Sequence, residues 1–167
     1  MIFAPINKII QNYRSYLDED MIMNFRRFSI LCLIALTGCT TINVSKVNAS
    51  KYPINLICIE ENPAVQVDDI LSVIEQSIRK RNIRTLVYKK TAPPQCEYTL
   101  WYTAFRGWDL APFMNRAEIR LSLRGETIGT ANYRHAGGFA LNKWAGTETK
   151  LQPVLDELLG DLQAPPQ

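Results

Sequence analysis

Residues Met23–Cys39, reading MNFRRFSILCLIALTGC, constrain this chain more than any other stretch. Arg26 and Arg27 precede an apolar run from Phe28 to Leu36, and the run closes on small residues. A basic n-region, a short h-region and a small-residue end are the pattern of a secretory signal peptide, which the mature protein loses. The run is too short for a transmembrane helix, which takes about 20 apolar residues. The competing readings are an ordinary signal with a coincidental cysteine, or a buried helix of a cytosolic protein. On the signal-peptide reading, the fold is built from the residues beyond the signal, in an exported compartment.

Within that stretch, Leu36-Thr37-Gly38-Cys39 resembles the lipobox of bacterial lipoproteins. The resemblance implies that Cys39 is diacylated, that the peptide before it is removed, and that the new amino terminus is usually acylated. A single acyl chain anchors only marginally, at about 0.8 kcal/mol per buried methylene, whereas two or three chains on one cysteine hold firmly. Thr40, and not aspartate, comes directly after the cysteine. In Gram-negative lipoproteins aspartate there is the usual inner-membrane retention signal, so the resemblance implies an outer-membrane protein facing the periplasm. Beyond the lipobox the chain resembles a small family of outer-membrane lipoproteins, from which no active-site residue carries over.

Residues 1–22 fit a signal poorly, because Asp18-Glu19-Asp20 sits where positive charge should dominate. They read as a long n-region or an over-extended start, with Met21 and Met23 as alternative starts. The functional alternative is an amphipathic helix over Ile6–Leu17. Residues 23–38 are then the signal peptide, 39–53 a polar lipidated tether ending on Pro53, 54–160 a single globular domain, and 161–167 a frayed tail. The net charge of +3 is too balanced to argue for nucleic acid, and repeats and low-complexity tracts are absent from the sequence.

Along the domain, Ile54–Ile59 is a short apolar, β-branched run and reads as a buried strand. Asn62-Pro63 offers a helix start, with Val67, Ile70, Leu71, Ile74 and Ile78 next at helical spacing and Asn82 as the cap. Arg79-Lys80-Arg81 suits the end of that helix, ahead of a lipid-headgroup contact. Ile83–Tyr88 returns as a strand. Cys96–Arg106 is the strongest strand of the chain. Arg116–Arg124 alternates cleanly, and Gly125 turns it into a second strand over Glu126–Arg134. Leu151, Val154, Leu155, Leu158 and Leu159 stripe a last helix. Pro153 should fall about one turn from its start, with Thr147 or Thr149 as cap.

The order β-α-β-β-β-β-α predicts an α+β two-layer sandwich. Its sheet is mixed and mostly antiparallel, of about five strands, with two helices on one face. The first β-α-β unit should be parallel and the later strands an antiparallel meander. The layout looks like the small α/β domains of several envelope-assembly lipoproteins, a likeness of fold and not of function.

No nucleophile–base pattern, Gly-rich phosphate loop or metal-spaced His/Cys cluster appears in the sequence. The one histidine, His135, lies in a glycine-flanked stretch and reads as solvated. The expectation is therefore no catalytic residue, no metal and no cofactor. The apolar loop Gly107–Phe113 carries Trp108, Leu110 and Phe113, which form either a lid over the core or an exposed contact patch. The lid is favoured, since most large apolar residues are buried. Two functions remain open. The first is a non-catalytic binding or assembly module, held to the membrane through acylated Cys39. Its partner would be an envelope protein at Trp108, Leu110 and Phe113, aided by sheet-face aromatics such as Trp101. The second is a small-ligand carrier or enzyme with a site under Gly107–Phe113.

Two cysteines remain after Cys32 leaves with the signal and Cys39 is acylated. In an oxidising periplasm Cys58 and Cys96 are expected to pair, provided that their strands are antiparallel sheet neighbours. The competing reading is two buried free thiols packing as small hydrophobes.

Overall fold

A computed structural model of the protein describes residues 40–135 and 141–163. The expected signal peptide, the alternative helix over Ile6–Leu17, Cys39 and residues 164–167 of the tail lie outside them. None of the described helices is long and apolar enough to cross a membrane.

Among the described residues the fold has six strands and two helices. They run in order β1 (Thr40–Ser45), β2 (Leu56–Glu60), α1 (Ile70–Arg79), β3 (Arg84–Tyr88), β4 (Tyr98–Asp109), β5 (Ala111–Leu123) and β6 (Glu126–His135). A short 3-10 turn (Leu141–Trp144) then leads into α2 (Thr147–Leu159). The strands make one mixed sheet in the order β1-β6-β5-β4-β2-β3. β2 runs parallel to β3 and to β4, and β4, β5, β6 and β1 are antiparallel in succession. This is the expected α+β sandwich, with one strand more.

Alternation divides the sheet into two faces. Leu100, Tyr102 and Ala104 of β4, Ala117, Ile119 and Leu121 of β5, and Ala131 and Tyr133 of β6 enter the core. The helices meet them with Ile70, Val73, Ile74 and Ile78 of α1 and Leu151, Val154, Leu155, Leu158 and Leu159 of α2. The other face bears Trp101 beneath Arg120 and Phe105 beneath Arg116, guanidinium to ring centroid 5.4 and 5.8 Å. Glu118 lies between those two arginines and pairs with both. Arg124 and Gly125, both at positive φ, close the β5–β6 hairpin in two residues, the geometry that matches the twist of the paired strands.

Several expectations are corrected. The proposed tether is part of the fold: Thr40–Ser45 pairs residue by residue with β6, and Val47 is buried in the core with its amide donating to the Leu158 carbonyl at 2.9 Å. α1 begins at Ile70, after Asp69, and not at Pro63. Asn62 instead accepts from the Ala64 amide and donates to the Tyr102 carbonyl, both at 3.1 Å, so it ties a turn to β4. α2 begins at Thr147 behind Gly146, nearly two turns before Pro153. The carbonyl freed there lies on the exposed side of the helix, where water can take the place of the missing N–H. Leu162, expected in the frayed tail, is buried.

Cys58 and Cys96 are joined, with their Cα atoms 5.6 Å apart. Cys58 lies in β2 and Cys96 two residues before β4, and these two strands are neighbours but parallel, not antiparallel. The connection before β4 brings Cys96 back alongside the middle of β2, where Cys58 lies level with Thr99.

Candidate functional site

The Gly107–Phe113 segment is not a lid. β4 and β5 continue through it as a paired ribbon, Gly107 against Phe113, Trp108 against Pro112 and Asp109 against Ala111, with Leu110 alone at the turn. Trp108 is 76% exposed and Leu110 86%. Leu110 has φ 59°, a left-handed conformation that a bulky side chain rarely adopts. The tip therefore carries both exposed apolar area and backbone strain.

Phe113 parts company with the other two. It is half-buried on the inner side of the ribbon, and its ring lies so close over Gly107 that a Cβ there would meet its Cζ at 2.7 Å. The structure thus groups Trp108 with Leu110 and assigns Phe113 to their support.

The rest of that support leaves no motif in the sequence. Lys143, in the 3-10 turn, forms an ion pair with the Asp109 carboxylate. The Trp144 indole N–H donates to the Asp109 carbonyl at 2.9 Å, and the Lys143 ammonium lies 4.5 Å from the Trp144 ring centroid. Trp144 remains 40% exposed, so it extends the apolar surface of the tip. Lys150, buried in α2, donates to the carbonyls of Met114, at 3.1 Å, and of Lys143. Its ammonium is 5.4 Å from the Phe113 ring centroid, and burial lowers its pKa. The available signal was positional: Lys150 falls on the same helical stripe as Leu151 and Val154, where a solvated lysine does not belong.

His135 is not in a solvated loop. It ends β6, is 4% exposed, and neither ring nitrogen has a hydrogen-bond partner among the described residues. Burial lowers its pKa first, and the charges of Lys150 and Lys143 lower it further. The imidazole is therefore neutral at neutral pH, set among cations and an aromatic ring. Among the described residues no group of three His, Cys, Asp or Glu side chains is placed to hold a metal ion.

Strand register places the tip relative to the chain's entry point. Thr41, Arg134, Arg116 and Phe105 form one row across β1, β6, β5 and β4. Beyond that row, on one side, lie Thr40 and the β4–β5 hairpin. Leu110 is five residues past Phe105, about 16 Å along an extended strand.

No family model matches the chain, and no curated protein matches it. Among solved structures it is similar to a dodecamer of a single-substitution PelC variant from Paraburkholderia phytofirmans, 13% identical, covering 70% of this chain and 98% of that one at a TM-score of 0.47. It is also similar to a PelC dodecamer from the same organism in another crystal form, 11% identical, with coverages of 70% and 98% and a TM-score of 0.45.

Proposed function

We propose that this protein is a lipid-anchored, periplasm-facing envelope lipoprotein of the outer membrane, acting as a non-catalytic binding or assembly module. The observation that carries the reading is the Cys58–Cys96 bond, since structural disulfides belong to oxidising compartments. The hairpin tip, with Trp108 and Leu110 in the open and Asp109 held by Lys143, is its contact surface. A binding role fits this surface better than a reaction does: His135, the one histidine, is set against Phe113 and two lysines and not against a nucleophile.

The test is metabolic labelling with palmitate in a Gram-negative host, wild type against Cys39→Ala. The wild type should incorporate label and fractionate with the outer membrane, and the variant should do neither. Equal labelling of the two proteins overturns the reading.

A further inference from the structure

We propose that the β4–β5 hairpin tip inserts into the membrane interface beside the anchor, with phospholipid as the occupant of its apolar surface. This rests on the lipid-anchor reading above.

The chain enters the fold close to its anchor. One peptide unit, about 3.8 Å, separates the Cα of Cys39 from that of Thr40. Thr40 is already paired with His135, so there is no slack between the anchor and the sheet. The end of the sheet at which Thr40 lies is the end from which the hairpin projects. Three strand spacings, about 14 Å, separate β1 from β4 across the sheet. Two points offset by that width across the sheet, one acylated and one apolar, define an edge of the domain that turns to the bilayer.

The chemistry of the tip suits that position. Trp108 and Trp144 have amphipathic rings of the kind that settle at headgroup level, and Leu110, exposed at the turn, has no core to enter. The carboxylate at the tip, Asp109, would resist entry as a free charge, but Lys143 neutralises it and Trp144 caps its carbonyl. The row at the base of the hairpin carries Arg134 and Arg116, the latter shared with Glu118 at 3.8 Å. Those guanidiniums suit phosphate oxygens and an anionic headgroup layer. The strained Leu110 is then held in the one place where its exposure is covered.

The experiment uses the full, lipidated protein in vesicles of phosphatidylethanolamine and phosphatidylglycerol, some carrying brominated acyl chains. Trp101→Phe with Trp144→Phe leaves Trp108 as the emitter; Trp108→Phe with Trp144→Phe leaves Trp101, on the sheet face, as reference. Brominated lipid should quench Trp108 severalfold more than Trp101, and Leu110→Asp should reduce the Trp108 quenching to the Trp101 level. Equal quenching of the two emitters overturns the proposal. So does shielding of Trp108 from acrylamide without bromolipid quenching, which would make the occupant a protein or a second copy. Palmitate is measured in the same preparation. With label present, a failure of quenching strikes the tip alone; with label absent, the anchor fails and the tip proposal falls with it.

Discussion

The Phe113 ring meets the His135 imidazole edge to face, with centroids 5.5 Å apart and planes at 76°. Lys150 stands over the same Phe113 ring. One aromatic side chain thus meets both a buried histidine and a buried ammonium at the root of the hairpin. The groups facing His135 are cationic, Lys150 from α2 and Lys143 from the 3-10 turn, and the Asp109 carboxylate of β4 is engaged by Lys143.

His135 has a pKa below its ordinary 6.5 in the fold, so protons bind the unfolded chain more readily. Its neutral form is tolerated above about pH 6.5, and stability falls as the pH drops from there through the folded value. His135→Leu removes the titrating group and two buried nitrogens that have no partner among the described residues. It should raise stability by about 1 kcal/mol near neutral pH and flatten the acid limb. Urea unfolding of both proteins at about pH 7.5 and about pH 5 reads this, on either side of the free histidine value. Parallel losses in the two proteins would show that His135 does not set the acid limb.

The Cys58–Cys96 bond closes a loop with a sequence separation of 38. In the chain-entropy model such a closure is worth about 4 kcal/mol. A Cys58→Ala, Cys96→Ala protein should unfold at correspondingly lower denaturant, and the non-reduced wild-type domain should weigh two hydrogens less than its dithiol. Two alkylatable thiols in protein taken from the periplasm would contradict the pairing.

Gly129 of β6 lies under β1 and α2. A Cβ at that position would meet Val47 Cγ2 at 2.5 Å, Leu158 Cδ1 at 3.1 Å and the Ser45 carbonyl at 3.2 Å. One of these contacts is to backbone, so the neighbours cannot all yield by rotating. Gly129→Ala should cost about 1–3 kcal/mol, the range for overpacking, and should loosen β1 in particular. Hydrogen exchange resolves the location: amides of Thr40–Ser45 should lose protection before those of β4 and β5. Unchanged stability would mean that β1 and Val47 pack loosely around Gly129.

Strong periodicity was legible. The faces of β4 and β5, the stripe of α2 and the mixed α+β order all emerge from alternation and helical spacing, because burial on one side leaves a repeat in the sequence. β1 left almost none: as an edge strand it exposes most of its length, Ile42 included, so TTINVS reads as a polar linker. The helix start was displaced because Asn62-Pro63 is chemically suited to a cap, yet its amide is drawn to the Tyr102 carbonyl forty residues away. The hairpin tip was misjudged for the opposite reason. Large apolar residues are usually buried, and Trp108 and Leu110 are not. Lys143 and Trp144 carry no local pattern that announces a latch on Asp109, Lys150 shows only its place on the apolar stripe of α2, and the tertiary approach of α2 and the 3-10 turn to the hairpin is what makes the latch.

Leu110 gives the sharpest test of why the tip is built as it is. Its left-handed backbone costs on the order of 1 kcal/mol, and its side chain, 86% exposed, recovers nothing by packing. Asparagine tolerates that conformation and water alike. Leu110→Asn should therefore raise the stability of the domain by about 1 kcal/mol, read as a higher urea midpoint at unchanged slope. In the lipidated protein on vesicles, the same substitution should weaken the contact between the tip and the bilayer, read as less bromolipid quenching of Trp108. Stability and contact then move in opposite directions, as expected where a residue is kept for a surface it touches and not for the fold that holds it. A lower midpoint for Leu110→Asn would show instead that Leu110 supports the hairpin itself.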